Sequence, residues 1–287
     1  MNKSHVAWLT TLAMIAFAAN SLLCRMALRG GHIDAASFTL LRLGSGALIL
    51  WLIVRSRGNA NAVHGNWPSA LALFAYAAGF SFAYLTLPAS VGALLLFGAV
   101  QATMIGYGLW RGERLRFIQW GGLLLACAGL MILMRPGLAA PPIDGALMMV
   151  GAGIAWGIYS LRGRGVSNAT ASTAGNFIRG FPLAAVLGIV MLPQASMDSL
   201  GVAYAIASGA IASGLGYAVW YSALPGLRAT TAATVQLSVP ILATLSAALL
   251  LDEAITLRLI AASLAVLLGI ALVIRGRLTV APASGKP

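Results

Sequence analysis

Leu87-Pro88-Ala89-Ser90-Val91-Gly92-Ala93, followed by Gly112-Glu113, returns 140 residues later as Leu227-Arg228-Ala229-Thr230-Thr231-Ala232-Ala233, followed by Asp252-Glu253. At the same offset Gly129 matches Gly269 and Arg135 matches Arg275. With a slightly shorter offset, Phe17 corresponds to Trp156 and Arg42 to Arg179. Two halves of one chain therefore share one plan. What each half contains follows from hydropathy. From Gly58 to Trp110 there is no Asp, Glu, Lys or Arg, and a helix needs only about 20 apolar residues to cross a bilayer. The stretch is too long for one crossing, and Leu87-Pro88-Ala89-Ser90 is where it breaks into two.

The same test along the chain predicts ten spans, at 6–27, 36–54, 68–87, 89–110 and 118–134, then 143–161, 171–192, 201–224, 229–251 and 257–274. Five spans per half is an odd number, so the second half must enter the membrane upside down relative to the first. The expected fold is an all-α membrane protein of ten transmembrane helices. Residues 1–137 form the first five-helix repeat and 138–287 the second, inverted one, within a single membrane domain. Inverted repeats of this kind mark transporters, with the substrate path between the halves.

Composition excludes the other classes. The 287 residues are 60% apolar and 8% charged, with a mean hydropathy of +0.91. A soluble domain carries about 25% charged residues. The net charge of +12 does not indicate a nucleic-acid partner, because the cations are scattered between apolar runs instead of clustered on one face. Cys24 and Cys127 are too few and too isolated for a metal site or a disulfide framework. Lys3 followed by the apolar run from Val6 imitates a secretory signal. Apolar character continues to Leu23, however, and the repeat requires this helix, so the segment reads as the first span.

Orientation follows from loop cations. With the N-terminus in the cytoplasm, inside segments hold twelve Lys or Arg residues, from Lys3 and Arg55 to Arg277 and Lys286. Outside segments hold four, namely Arg25, Arg29, Arg135 and Arg258. Both termini are expected to be cytoplasmic.

All six acids (Asp34, Glu113, Asp144, Asp198, Asp252 and Glu253) fall at span ends or in loops. A midplane carboxylate would mark a proton or cation site. None is present, which argues against proton coupling at the midplane and against lipophilic cations as substrates. His5, His32 and His64 lie at the membrane edge, so no span offers a serine–histidine pair, and the chain is not read as an enzyme. No cofactor or metal is expected.

Within the spans, aromatic and neutral polar groups take the place of charge. Tyr76, Phe80 and Tyr84 recur at four-residue steps, one face of a helix. Tyr217, Trp220 and Tyr221 hold related positions in the eighth span. Phe17 and Asn20 in the first span, Trp156 and Tyr159 in the sixth, and Gln236 and Ser238 in the ninth complete the candidate substrate site. Buried amides and phenols need partners in lipid, so they should face the bundle, where they suit a small neutral or zwitterionic solute. Single aromatics also serve as packing and interface anchors, and about half of those named are expected to line a path. Arg42 and Arg179 lie a turn inside the membrane surface, where a long side chain is expected to snorkel outward or to pair structurally. The other reading is a substrate carboxylate or a gate latch. Glu113 and Glu253 are candidate latches against Arg116 and Arg258, and Pro240 is a candidate hinge. Gly153-xxx-Gly157 reads as a site of close helix approach.

These residues resemble the drug/metabolite transporter superfamily, in its EamA-type branch of bacterial inner-membrane exporters. The resemblance covers nearly the whole chain. It rests on Phe17 to Asn20, Arg42, Ala89-Ser90 and Gly112-Glu113-Arg114-Leu115, then on Ala155-Trp156-Gly157-Ile158-Tyr159, Ala223-Leu224, Gln236 to Pro240 and Asp252-Glu253. No one motif is specific; their order and spacing are. The family often has proline in both ninth and fourth spans, whereas Val100 stands opposite Pro240 here, so the halves should hinge differently. The resemblance implies export of amino acids and related metabolites across the inner membrane by alternating access. Partners are then a small solute and the bilayer, with a monomer as the simplest assembly. The other readings are a carrier of nucleotide sugars or sugar phosphates, for which cations in the path are few, and a channel-like or structural membrane protein.

Overall fold

A computed structural model describes residues 2–57, 64–112, 114–135, 140–164, 166–227 and 229–277. Every regular element among them is helical. In chain order these are α1 (Lys3–Arg29), α2 (Ala35–Ser56), α3 (Trp67–Ala83), α4 (Ala89–Trp110), α5 (Phe117–Met134), α6 (Ile143–Arg162) and α7 (Ala169–Val190). They continue with α8 (Ser199–Gly226), α9 (Ala229–Val235), α10 (Ser238–Leu251) and α11 (Leu257–Arg277). Eight of these helices are long and apolar enough to cross a membrane, and α3 and α10 are shorter apolar helices.

Local chemistry explains the boundaries. Asp34, Asn66, Asn168 and Asp198 cap α2, α3, α7 and α8 by accepting backbone N–H groups. The expected ninth span is interrupted at Gln236-Leu237, four residues before Pro240. Proline lacks the N–H that would bond the carbonyl of residue 236, and Val239 N–H takes that carbonyl in a tighter turn. Proline inside α7, at Pro182, leaves the helix continuous. In α8, residues Ala207–Leu215 widen to i→i+5 turns, a feature often found at functional sites. Gly209 and Gly214 sit there because a Cβ would collide with the Arg42 carbonyl and with Ile49, so α8 lies nearly backbone to backbone on α2.

Packing has a reciprocal pattern. α3 packs on α6 as α8 packs on α1, α4 packs on α6 as α10 packs on α1, and α2 packs on α7. In the α5–α11 pair, a Cβ on Gly122 would meet the Gly269 carbonyl at 2.5 Å, and one on Gly129 the Ala262 carbonyl at 2.9 Å. Gly122 corresponds to Ala262 and Gly129 to Gly269 at the offset of 140, so position i meets j′ while j meets i′. That exchange is what a two-fold relation produces. Gly153 and Gly157 let α6 approach α4: added Cβ atoms would stand 2.6 Å from Ala99 Cβ and 2.7 Å from Thr103 Cβ.

Candidate functional site

A cavity of about 770 Å³ enters the bundle from the end where α6 stops and α3 and α7 begin. Its mouth is marked by Arg162, Arg164 and Val166, all exposed. It runs inward past Tyr76 and Phe80 on α3, Phe17 and Asn20 on α1, and Leu96 to Ile105 on α4, and stops there. α1 begins and α11 ends on the mouth side. The volume lies within the roughly 300–1,000 Å³ usual for small-molecule sites. Among the described residues no Asp or Glu lines it.

Trp156 is the hub of the wall. Its indole stacks on Tyr217 (centroids 5.3 Å) and on Tyr159 (5.2 Å), and tilts against Tyr76 at 4.7 Å. Phe17, its counterpart in the first half, meets the same Tyr217 at 5.6 Å and Trp220 at 6.1 Å. Polar groups are threaded between the rings. Asn20 Nδ2 donates to Tyr76 Oη (3.3 Å), and Ser208 Oγ donates to Asn20 Oδ1 (2.6 Å). Nearer the mouth, Asn176 Nδ2 donates to Tyr159 Oη (3.4 Å), Tyr159 to Thr173, and Thr173 to Tyr221. Arg162 donates to Ser69 Oγ (3.1 Å) and Asn66 Oδ1 (3.2 Å), tying α6 to the start of α3.

Of the candidate substrate residues, the cavity brings together Phe17, Asn20, Tyr76, Phe80, Trp156, Tyr159, Tyr217, Trp220 and Gln236. Tyr84 and Ser238 stand apart. Tyr84 is wholly buried one turn beyond Phe80, edge-on to it at 4.7 Å, and donates to the Ala89 carbonyl. Ser238 Oγ donates to the Val235 carbonyl at the α9–α10 break. Gln101 and Asn176 line the wall but were not singled out above; a lone amide within an apolar run is the signal that identified Asn20 and would have found both.

Of the two arginines inside the spans, Arg42 departs from outward snorkelling and is paired within the bundle, while Arg179 reaches a carbonyl of the other half. Arg42 does not snorkel: it is 1% exposed, behind the cavity floor. Its Nη2 donates to Tyr76 Oη (2.9 Å) and its Nε to Ser213 Oγ (3.4 Å). The guanidinium carbon sits 4.9 Å from the Phe80 ring centre and 5.0 Å from that of Tyr76. α8, laid against α2 by its glycines, closes the route outward. Arg179 is half-buried and donates to the carbonyls of Gly175 (3.0 Å) and His64 (3.3 Å). Neither lines the cavity, and the cations that do are Arg162 and Arg164.

Beyond the floor the bundle is closed by Glu253. Asp252 adopts a left-handed conformation (φ 52°) after α10 and turns the next residue toward α4. There Glu253 accepts Ala89 N–H (2.8 Å), Ser90 N–H (3.3 Å) and the Ser90 hydroxyl (3.0 Å), with Arg25 Nε at 3.8 Å. α4 has no cap from its own N-cap residue, Pro88, so a carboxylate from the other half supplies it. The expected partner Arg258 instead donates to the Arg135 carbonyl. Glu113 lies outside the described residues. A strap reinforces this end: Asp34 N–H donates to the Ser196 carbonyl (2.8 Å), Ser196 N–H to Asp34 (3.1 Å), and His32 Nδ1 lies 2.7 Å from Asp198. Burial pushes the Asp34 carboxyl up, but hydrogen bonds from Ser37, Ser196 and Ala36 outweigh it and hold the group below its usual range. Hydrogen bonds from Gly201 and His32 likewise lower Asp198.

Residues 143–275 match the EamA-like transporter family. An uncharacterized protein of Pseudomonas aeruginosa is 56% identical over 271 residues, covering 94% of each chain. An uncharacterized transporter of Archaeoglobus fulgidus is 30% identical over 174 residues, 58% of this chain and 60% of its own. One solved crystal structure shares the fold with a TM-score of 0.66 at 19% identity, over 95% of this chain and 98% of that one.

Proposed function

We propose that this chain, whose residues 143–275 match the EamA-like transporter family, is a multi-pass membrane transporter of that family that exports neutral or zwitterionic solutes. Amino acids with aromatic or hydrophobic side chains are the leading substrates. The observation that carries the reading is the blind cavity: aromatic faces and amides line it, cations stand only at its mouth, and a clasp closes its far end. Rings contact a solute's side chain while amides and hydroxyls hold its polar ends. Two inverted five-helix halves account for the reciprocal contacts of α5 with α11 and of α3 and α4 with α6. The excess of cations on the mouth side makes that side cytoplasmic, with both termini there, in the inner membrane of a bacterium.

Alternating access then consists of opening the Glu253 end as the mouth closes, with the break at Gln236-Leu237 and the wide turn of α8 as the compliant points. A path with several cations would be needed for nucleotide sugars, and Arg162 is already engaged by Ser69 and Asn66. The test is uptake of a radiolabelled amino-acid panel into liposomes holding the purified protein. Saturable uptake with countertransport is expected. Trp156→Ala or Gln236→Ala should reduce it about tenfold or more at equal amounts of folded protein. Normal uptake by both variants would refute the site, and uptake without saturation would refute a carrier.

A further inference from the structure

Arg42 is a cation held in the middle of a membrane bundle without a counter-ion. The ion pairs among the described residues are Arg25 with Glu253 and His32 with Asp198. No acceptor reaches Arg42 Nη1, although the atom is buried. A buried charge with an unmet donor is costly to hold, so the free Nη1 edge is a feature the bundle's packing does not account for. Part of the charge is met by the Phe80 and Tyr76 ring faces and part by the Tyr76 hydroxyl. All of its partners are neutral: a phenol, the Ser213 hydroxyl and two π faces stand where a planar, bidentate donor matches a carboxylate.

The position is as informative as the chemistry. Tyr76 lines the cavity on one side and bonds Arg42 on the other. The same hydroxyl receives Asn20 Nδ2, itself in the wall. Tyr76 is thus the partition between the cavity and the guanidinium. Its movement off Arg42 would join the two without disturbing the Glu253 clasp, which lies a further turn along α1 at Arg25.

We infer that Arg42 is the carboxylate receptor of the transport path, reached from the cavity when the Tyr76 phenol swings away from it, so that the transported solutes must carry a carboxylate. This rests on the reading of the cavity as a path for amino-acid-like solutes and narrows it. Zwitterions and carboxylic acids qualify; amines with the same side chain do not. The solute's carboxylate takes the place of the Tyr76 oxygen and satisfies Nη1 as well.

The experiment uses the full chain in liposomes, with labelled L-phenylalanine and L-leucine as reporters. Unlabelled 3-phenylpropionate and 4-methylpentanoate keep the carboxylate and lack the ammonium; phenethylamine and isoamylamine do the reverse. The acids should compete about tenfold to a hundredfold better than the amines, the worth of a charged hydrogen bond. Arg42→Met should erase that preference, and Arg42→Lys, which keeps the charge but not the fork, should reduce it; the lysine variant serves alone if the methionine variant does not fold. Amines competing as well as acids would overturn the inference while leaving amino-acid transport standing. So would a preference for acids that survives in both variants. Absence of uptake of either amino acid by the wild-type protein would overturn both the reading and the inference.

Discussion

Arg42 and Arg179 stand about two and three turns inside α2 and α7, which pack on each other, yet their surroundings have little in common. Arg179 is half-buried and finds two carbonyls, one of them delivered by the loop residue His64. Arg42 is 1% exposed and finds a phenol, a serine and two ring faces. The difference lies in what each helix packs against. α2 meets the widened turn of α8, whose Gly209 and Gly214 bring the backbones together and place Ser213 over the guanidinium. Packing thus makes one of two similarly placed charges an anchored, half-buried group and the other a buried donor. The two ends of the bundle diverge in the same manner. Carboxylates fasten the closed end, through Glu253, Asp34 and Asp198, whereas the mouth end is held by amides and Arg162.

The sharpest way to break this contrast is at Glu253. Glu253→Gln leaves donors of Ala89 and Ser90 facing an amide N–H₂, at a cost of about 2 kcal/mol, roughly a thirtyfold shift toward the opened clasp. Cys24 reports it, being fully buried on α1 between the cavity and Arg25. In a Cys127→Ser background, an impermeant thiol reagent applied to the closed side should label Cys24 roughly thirtyfold faster in the variant. An unchanged rate would mean that Glu253 does not hold this end shut.

The two arginines should also separate on stability. Replacing buried ionic groups by well-packed apolar side chains is often neutral or stabilising by about 1–4 kcal/mol, and Arg42 leaves no carboxylate partner behind among the described residues. Arg42→Met should therefore leave the thermal midpoint in detergent unchanged or raise it, while weakening uptake of carboxylate solutes and removing the preference for acids over amines. Arg179→Met should change stability by less than about 1 kcal/mol and leave uptake intact. A fall in midpoint for Arg42→Met would show that the guanidinium ties α2 to α3 and α8 as a structural group.

How far the sequence discloses this contrast is itself instructive. Hydropathy and turn residues locate helix starts closely at Asp34 and Ala89-Ser90, but place the end of α3 at 87 where the helix stops at Ala83 and a turn leads to Pro88. They miss the interruption before Pro240, because proline marks the affected carbonyl four residues upstream and not itself. Period-four spacing puts Tyr76, Phe80 and Tyr84 on one face, and the face is real; only depth separates the first two, at the cavity, from the third. The burial of Arg42 is illegible for a different reason. It depends on glycines 167 and 172 residues away in α8, and a hydropathy window sees only the host helix. Glu253 meets Arg25 across the halves for the same reason, where sequence proximity suggested Arg258.

A smaller effect concerns pH. The Asp34 and Asp198 carboxyls are lowered in the folded protein. Their contribution is present above the unfolded value of about 3.9 and is lost as pH falls through the depressed folded values. Amide exchange at residues 32–34 and 196–198, corrected for intrinsic rates, should stay slow down to about pH 4 and quicken below it. Asn66 and Asn176, which join the mouth end through neutral amides, should show no such step. A step at both ends would remove the distinction.

The smallest expected effect tests depth along α3 alone. Tyr84 and Tyr76 carry the same group two turns apart, and loss of either hydroxyl leaves the ring in place. Tyr84 Oη donates one long bond, 3.3 Å to the Ala89 carbonyl, and the residue stands behind Ser21 and Phe80, which line the cavity, without lining it itself. Tyr84→Phe should cost no more than about 1 kcal/mol of stability and leave transport kinetics as they are. Tyr76→Phe removes the acceptor shared by Asn20 and Arg42, so it should alter the half-saturating concentration for amino acids severalfold and cost more stability than Tyr84→Phe, about 1–3 kcal/mol. If the two variants behave alike in transport, the cavity floor lies deeper than Phe80 and the path extends to Tyr84. If only Tyr76→Phe changes uptake, the floor is where the rings of Tyr76 and Phe80 cover Arg42, and the substrate's polar end is read there.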